Sequence, residues 1–185
     1  YFQLPECIGK DAGKFIDLFK THTEIVPWFP SVLIGENYKM AVELLEKLRP
    51  ERIVTNNSGI ALVAFKNKIQ WIAGPEMNTI NSFSLLSLKE NFNCSGAFIS
   101  NEISKMQMHG IKKPEGFELY YSIYHPIRLM TSRQCLFHQV TGCVKDVMDE
   151  KCIPDCSRNA TITNLKNETF VVEKSKGNYN AVYNE

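Results

Sequence analysis

Four of the six cysteines fall in one short stretch, residues 133–156 (RQCLFHQVTGCVKDVMDEKCIPDC). Cys135, Cys143, Cys152 and Cys156 follow the pattern C-x7-C-x8-C-x3-C, with Gly142 and Pro154 supplying turns beside two of the sulfurs. Four thiolates within reach of one centre suit a tetrahedral zinc or an iron–sulfur cluster, because both are held by soft sulfur donors. The spacing matches no common zinc finger, so a 4Fe-4S cluster and zinc both stay open. Local charge does not decide the matter: Arg133, Lys145 and Lys151 favour thiolates, whereas Asp146, Asp149, Glu150 and Asp155 oppose them. Two other arrangements are compatible with the spacing, a pair of disulfides in an exported protein or ordinary buried thiols.

A second set of polar residues is expected at the carboxyl ends of strands, where parallel α/β folds build their sites. These are Asn56 and Asn57; Glu76, Asn78 and Asn81; Ser100, Asn101 and Glu102; and His125. The asparagines are either turn and capping residues or a polar rim that hydrogen-bonds a substrate. Glu102 is a candidate general base, or a first-turn residue answering a helix dipole. His125, just before Pro126, is the other catalytic candidate, with a structural role as its alternative. Arg128 and Arg133 are placed to bind phosphate or carboxylate, or to balance nearby acids. Met106 and Met108 beside His109 read as a helix face packed on a sheet, and Cys7 and Cys94 as small buried apolar groups. No G-x-G-x-x-G, P-loop, H-E-x-x-H or G-x-S-x-G motif occurs, and no catalytic Cys/His pair stands out beyond the cysteine segment.

The elements that must position these residues form a repeat. Residues 10–20 have helical spacing and are broken by Pro27-Trp-Phe-Pro30, and Ser31 to Gly35 reads as a short buried strand. Asn37 is the expected N-cap of a helix over 38–49, stopped by Pro50. Strands are then predicted at 52–56, 68–74, 94–100 and 117–125, and helices at 59–67, 82–91 and 102–109. This alternation argues for parallel βα units with right-handed crossovers. A complete eight-fold barrel needs roughly 200 residues or more, so a partial TIM-barrel-like sheet is expected. Beyond Cys156, residues 161–165 and 169–174 read as a β-hairpin, with a possible short strand at 181–184.

The expected organisation is an N-terminal helical lead-in at 1–30, a βα-repeat region at 31–130, and a four-cysteine metal segment with the hairpin at 131–185. Tyr1-Phe2-Gln3 resembles the tail of a cleavable expression tag and is set aside from the fold. A chain of 185 residues can bury a sizeable core without staples. Its formal charge of +1 gives no overall basic field, so any nucleic-acid contact must come from a local patch. No apolar run reaches the ~20 residues of a membrane span and no leader pattern opens the chain, so a cytoplasmic setting without membrane contact is expected. The sequons at Asn56, Asn93, Asn159 and Asn167 are read as chance matches in an Asn-rich chain.

Taken together, RIVTNNSG, GPEMNTINS, FISNEIS and above all LMTSRQC…GC…C…C followed by TITNLKNETFVVEKSKGNYNAVYNE resemble the collagenase-like peptidases of the U-thirty-two family, from about Ser31 onward. The likeness is greatest to the C-terminal portion of long bacterial members associated with 5-hydroxycytidine formation in 23S ribosomal RNA. The resemblance implies a barrel-like α/β fold. In several relatives it also implies an iron–sulfur cluster on four cysteines, used in oxygen-independent hydroxylation of RNA or quinone precursors. The cage then falls on Cys135, Cys143, Cys152 and Cys156, and the asparagine-rich strand ends and Glu102 fall where relatives have pocket residues. The family's His-Gly after the fourth strand is His125-Pro126 here, as in a degenerate copy whose cage is structural. Three functions follow as expectations: part of an rRNA-hydroxylating enzyme, a collagenase-like peptidase, or a zinc-stabilised module that binds RNA or a partner. The expected partners are the remainder of a parent chain and ribosomal RNA.

Overall fold

A computed structural model describes residues 1–123, 128–140, 143–144, 152, 156, 159–175 and 179–184. The chain divides into two compact units, Tyr1–Ile123 and Tyr124–Glu185.

The first unit is a parallel sheet of six strands: β1 (Phe2–Gln3), β2 (Pro27–Phe29), β3 (Arg52–Thr55), β4 (Gln70–Ala73), β5 (Cys94–Phe98) and β6 (Glu118–Tyr120). They lie side by side in chain order. The central strands are buried on both faces, which explains why RIVT, QWIA and CSGAF are nearly continuous apolar runs rather than alternating ones. The connecting helices are α1 (Ala12–Thr21), α2 (Glu36–Leu48), α3 (Ser58–Lys66), α4 (Ser82–Phe92) and α5 (Lys105–Gly110). Strands in sequential order joined by crossovers of one hand carry their helices on one face. The main core bears this out: Phe19, Leu44, Ile60 and Leu85 from helices pack with Ile53, Trp71 and Ala97 from strands.

The opposite face carries a separate cluster of strand residues, with Val54 and Ile72 fully buried and Phe98 beside them. Trp28 of β2 and Phe98 of β5 have ring centroids 4.9 Å apart. In a flat sheet, strands three places apart would be separated by about 14 Å, so this sheet is strongly curled. The Phe98 ring in turn stacks on Tyr120 at 4.9 Å, and Tyr1 meets Trp28, Phe98 and Tyr120 edge-on, each at 6.2 Å.

Several expectations are corrected here. Tyr1-Phe2-Gln3, set aside as a tag remnant, contributes an edge strand, with Phe2 and Gln3 in register with Pro27 and Trp28. The second strand is Pro27–Phe29 rather than residues 31–35: Pro27 is its first residue, where a missing N–H is tolerated. The N-cap of α2 is Gly35, at φ 58°, rather than Asn37. Glu102 is not in the first turn of α5, whose N-cap is Ser104 with a capping box to Gln107. Met106 is 84% exposed and the short α5 buries no residue, so the methionine face is not packed on the sheet. Cys7 is exposed because its neighbour Ile8, fully buried, takes the inward position.

The second unit is an antiparallel sheet in the order β7 (Arg128–Ser132), β10 (Tyr179–Asn184), β9 (Thr169–Ser175), β8 (Ala160–Thr163). The expected hairpin is β8–β9, in register from Ala160↔Val172 to Thr163↔Thr169. The tail that read as a short strand is one of the two inner strands, paired on both sides. A short helix, α6 (Leu136–Val140), follows β7 and supplies Phe137 to a core with Val172 and Val182. Among the described residues, no helix is long and apolar enough to cross a membrane.

Candidate functional site

The polar strand ends of the first unit are built from loops sewn to one another. Asn56 is buried, and its Oδ1 accepts from Glu76 N at 3.3 Å while its own N–H donates to Phe29 O at 3.1 Å. Gly74 lies directly beneath: a Cβ there would come within 1.9 Å of Asn56 Oδ1, so this placement of the asparagine requires a glycine at 74. Asn57 caps α3, accepting from Ile60 N at 3.1 Å, and its Nδ2 donates to Ser31 O at 2.8 Å. Asn78 occupies a left-handed turn at φ 57°. Asn81 caps α4 by accepting from Ser84 N at 2.9 Å.

Thr79, fully buried, donates through its hydroxyl to Phe98 O, and Ser100 N donates to Thr79 O at 3.2 Å. Glu102 is exposed, with its N–H bonded to Ser100 Oγ at 3.3 Å. Each of the four predicted asparagines thus has a local structural use, and Glu102 stands at the solvent side of the same rim. Two polar atoms of this unit are shut from solvent with no hydrogen-bond partner among the described residues, Asn101 Oδ1 and Trp28 Nε1. His125 lies outside the described residues. Cys94 is buried as expected, and burial pushes its thiol up to about 11 against weaker opposing hydrogen bonds from the Gly96 and Ala73 backbone. It is therefore an inert thiol at neutral pH.

The cysteine segment belongs to the second unit. Arg133 is exposed at the end of β7. Cys135 immediately precedes α6 and packs against the Phe137–Val172–Val182 core. The sheet also reaches Cys152, whose carbonyl accepts from Lys174 Nζ on β9. Cys135, Cys143, Cys152 and Cys156 are all half-buried, and no disulfide joins cysteines among the described residues. As donors the four fit a zinc ion or an iron–sulfur cluster, since their sulfurs are not consumed by one another. Their placement does not gather them: among the described residues, no three His, Cys, Asp or Glu side chains come together as a metal group. An apolar cavity of about 260 Å³ opens on the α6 side of the sheet, lined by Met130, Leu136, Ile162, Phe170 and neighbours; no cysteine lines it.

Sequence reasoning missed Asn180, 1% exposed on β10, whose Nδ2 donates to Gln134 O at 2.7 Å and to Ser132 O at 3.4 Å. The available signal was alternation: Asn180 shares a face with Val182, so it is a polar residue at an inward position of a strand.

No family model, curated protein or solved structure matches this chain. What the fold and site define is a mixed α/β protein with a parallel βα sheet and a cysteine-bearing antiparallel unit.

Proposed function

We propose that this chain is the C-terminal, metal-bearing part of a U-thirty-two (collagenase-like) family protein that takes part in hydroxylating ribosomal RNA to 5-hydroxycytidine. The observation that carries the reading is the set of four half-buried cysteines on one short segment, none of them spent in a disulfide. In this reading the curled six-stranded sheet is a partial barrel, and Cys135, Cys143, Cys152 and Cys156 hold a 4Fe-4S cluster. When bound, such a cluster supplies electron transfer. Arg133, exposed two residues before Cys135, meets an RNA phosphate, for which the planar guanidinium fork is suited. Asn56, Asn57, Asn78, Asn81 and Glu102 form the polar rim of the partial barrel, and His125 is the other catalytic candidate of this reading. The setting is cytoplasmic and the partners are ribosomal RNA and the remainder of a parent chain.

One observation favours a second reading, a zinc-stabilised module that binds RNA or a partner without catalysis: Pro126 stands where the family has glycine. Anaerobic purification followed by iron, sulfide and zinc analysis separates the two. The redox reading expects about four irons with matching sulfide per chain, whereas colourless protein with one zinc would overturn it. In the zinc reading Cys152→Ala unfolds the second unit, because binding and folding are coupled. A folded Cys152→Ala protein that merely loses activity would remove that version. Cleavage of gelatin abolished by Glu102→Ala or His125→Ala would replace both with the peptidase.

A further inference from the structure

The turn that leads into the first cysteine is pinned from two sides. Ser132 Oγ accepts from Gln134 N at 3.1 Å, closing the turn on itself. From the neighbouring inner strand, the Asn180 NH2 group donates to the carbonyls of Ser132 and Gln134. The next residue is Cys135. The Asn180 amide cannot be reversed, because two carbonyl acceptors tolerate only its NH2 group there. That leaves Oδ1, which is shut from solvent and has no hydrogen-bond partner among the described residues.

We propose that Asn180 is a positioning residue for Cys135. Its NH2 group fixes the turn that delivers the first sulfur of the four-cysteine segment. Its consequence for metal affinity rests on the reading of the cysteines as a metal cage; the fixing of the turn does not.

The test is pulse alkylation of the whole, reduced, metal-free protein with iodoacetamide, reading each cysteine peptide by mass spectrometry. Asn180→Asp keeps the shape of the side chain and removes its donors. We expect the ratio of Cys135 to Cys143 labelling to rise about tenfold, with an unchanged circular dichroism spectrum and Cys94 still unlabelled. Titration with zinc alone should show affinity about tenfold weaker in the same variant. An unchanged ratio in folded Asn180→Asp overturns the proposal, as does a uniform rise at all four cysteines, which is general loosening rather than positioning. If Asn180→Asp fails to fold, Asn180→Leu carries the test, since it keeps a similar volume and removes the same donors without adding a buried charge; the ratio should rise severalfold, and no rise overturns the proposal. Wild-type protein that takes up no metal would sink the cage, and the labelling ratio would still decide the positioning of Cys135.

Discussion

The buried Asn56 amide explains the glycine at 74. The buried amide of Asn56 holds the Glu76 backbone, and it fits only because Gly74 has no side chain. Gly74→Ala is expected to cost about 1–3 kcal/mol in chemical denaturation, the range for forcing an atom into packed space. The double variant Asn56→Ala/Gly74→Ala should cost less than the sum of the singles, and strict additivity would show that the two do not interact. Cys94 makes a pH prediction. Its folded-state pKa lies above its ordinary value of 9.0, at about 11, so the folded chain binds the proton more tightly than the unfolded one. The contribution is therefore complete below pH 9 and lost as pH rises toward 11, by about 2–3 kcal/mol. Thermal melts between pH 8 and 11 should show this fall, and Cys94→Ala should flatten it; an equal fall in the variant would assign it to other groups.

At the scale of elements, side-chain caps decide where α3 and α4 begin. Asn57→Ala removes the α3 cap and the tie to Ser31 together, and Asn81→Ala removes half of the α4 capping box. About 1 kcal/mol is expected for Asn81→Ala and somewhat more for Asn57→Ala. Denaturant midpoints check the order, and the reverse order would show that the Ser31 tie contributes nothing. These caps were readable as a class, since asparagine before an apolar run favours a helix start. The start of α2 was not readable that way: Asn37 looked like the cap, yet Gly35 takes the position through a positive φ that no periodicity reveals. Likewise Pro27 and Pro30 read as a break around what is a strand. What rescues that strand is pairing on both sides with β1 and β3, a tertiary effect.

At the scale of the molecule, the two units have separate cores. The cores of the βα sheet share no residue with the cluster of Phe137, Val172 and Val182. Phe137→Ala, which empties a large side chain from the smaller core, is expected to cost about 3–5 kcal/mol within the second unit. Hydrogen exchange should show faster amide exchange in β7–β10 with β3–β5 unchanged. Equal loss in both sheets would mean that the chain unfolds as one cooperative body.

The sequence by itself determined the alternation of buried strands and helices from Arg52 to Phe98, because burial on both faces and capping leave local marks in residue type. It also determined the β8–β9 hairpin, whose alternating pattern and turn lie close together along the chain. Only the tertiary structure decided that Tyr1 to Gln3 add an edge to the sheet, that Trp28 and Phe98 meet across three strand positions, and that Asn180 pins the approach to Cys135. Each of these joins residues far apart in the chain, and such pairings depend on curvature and register that no local window of sequence contains.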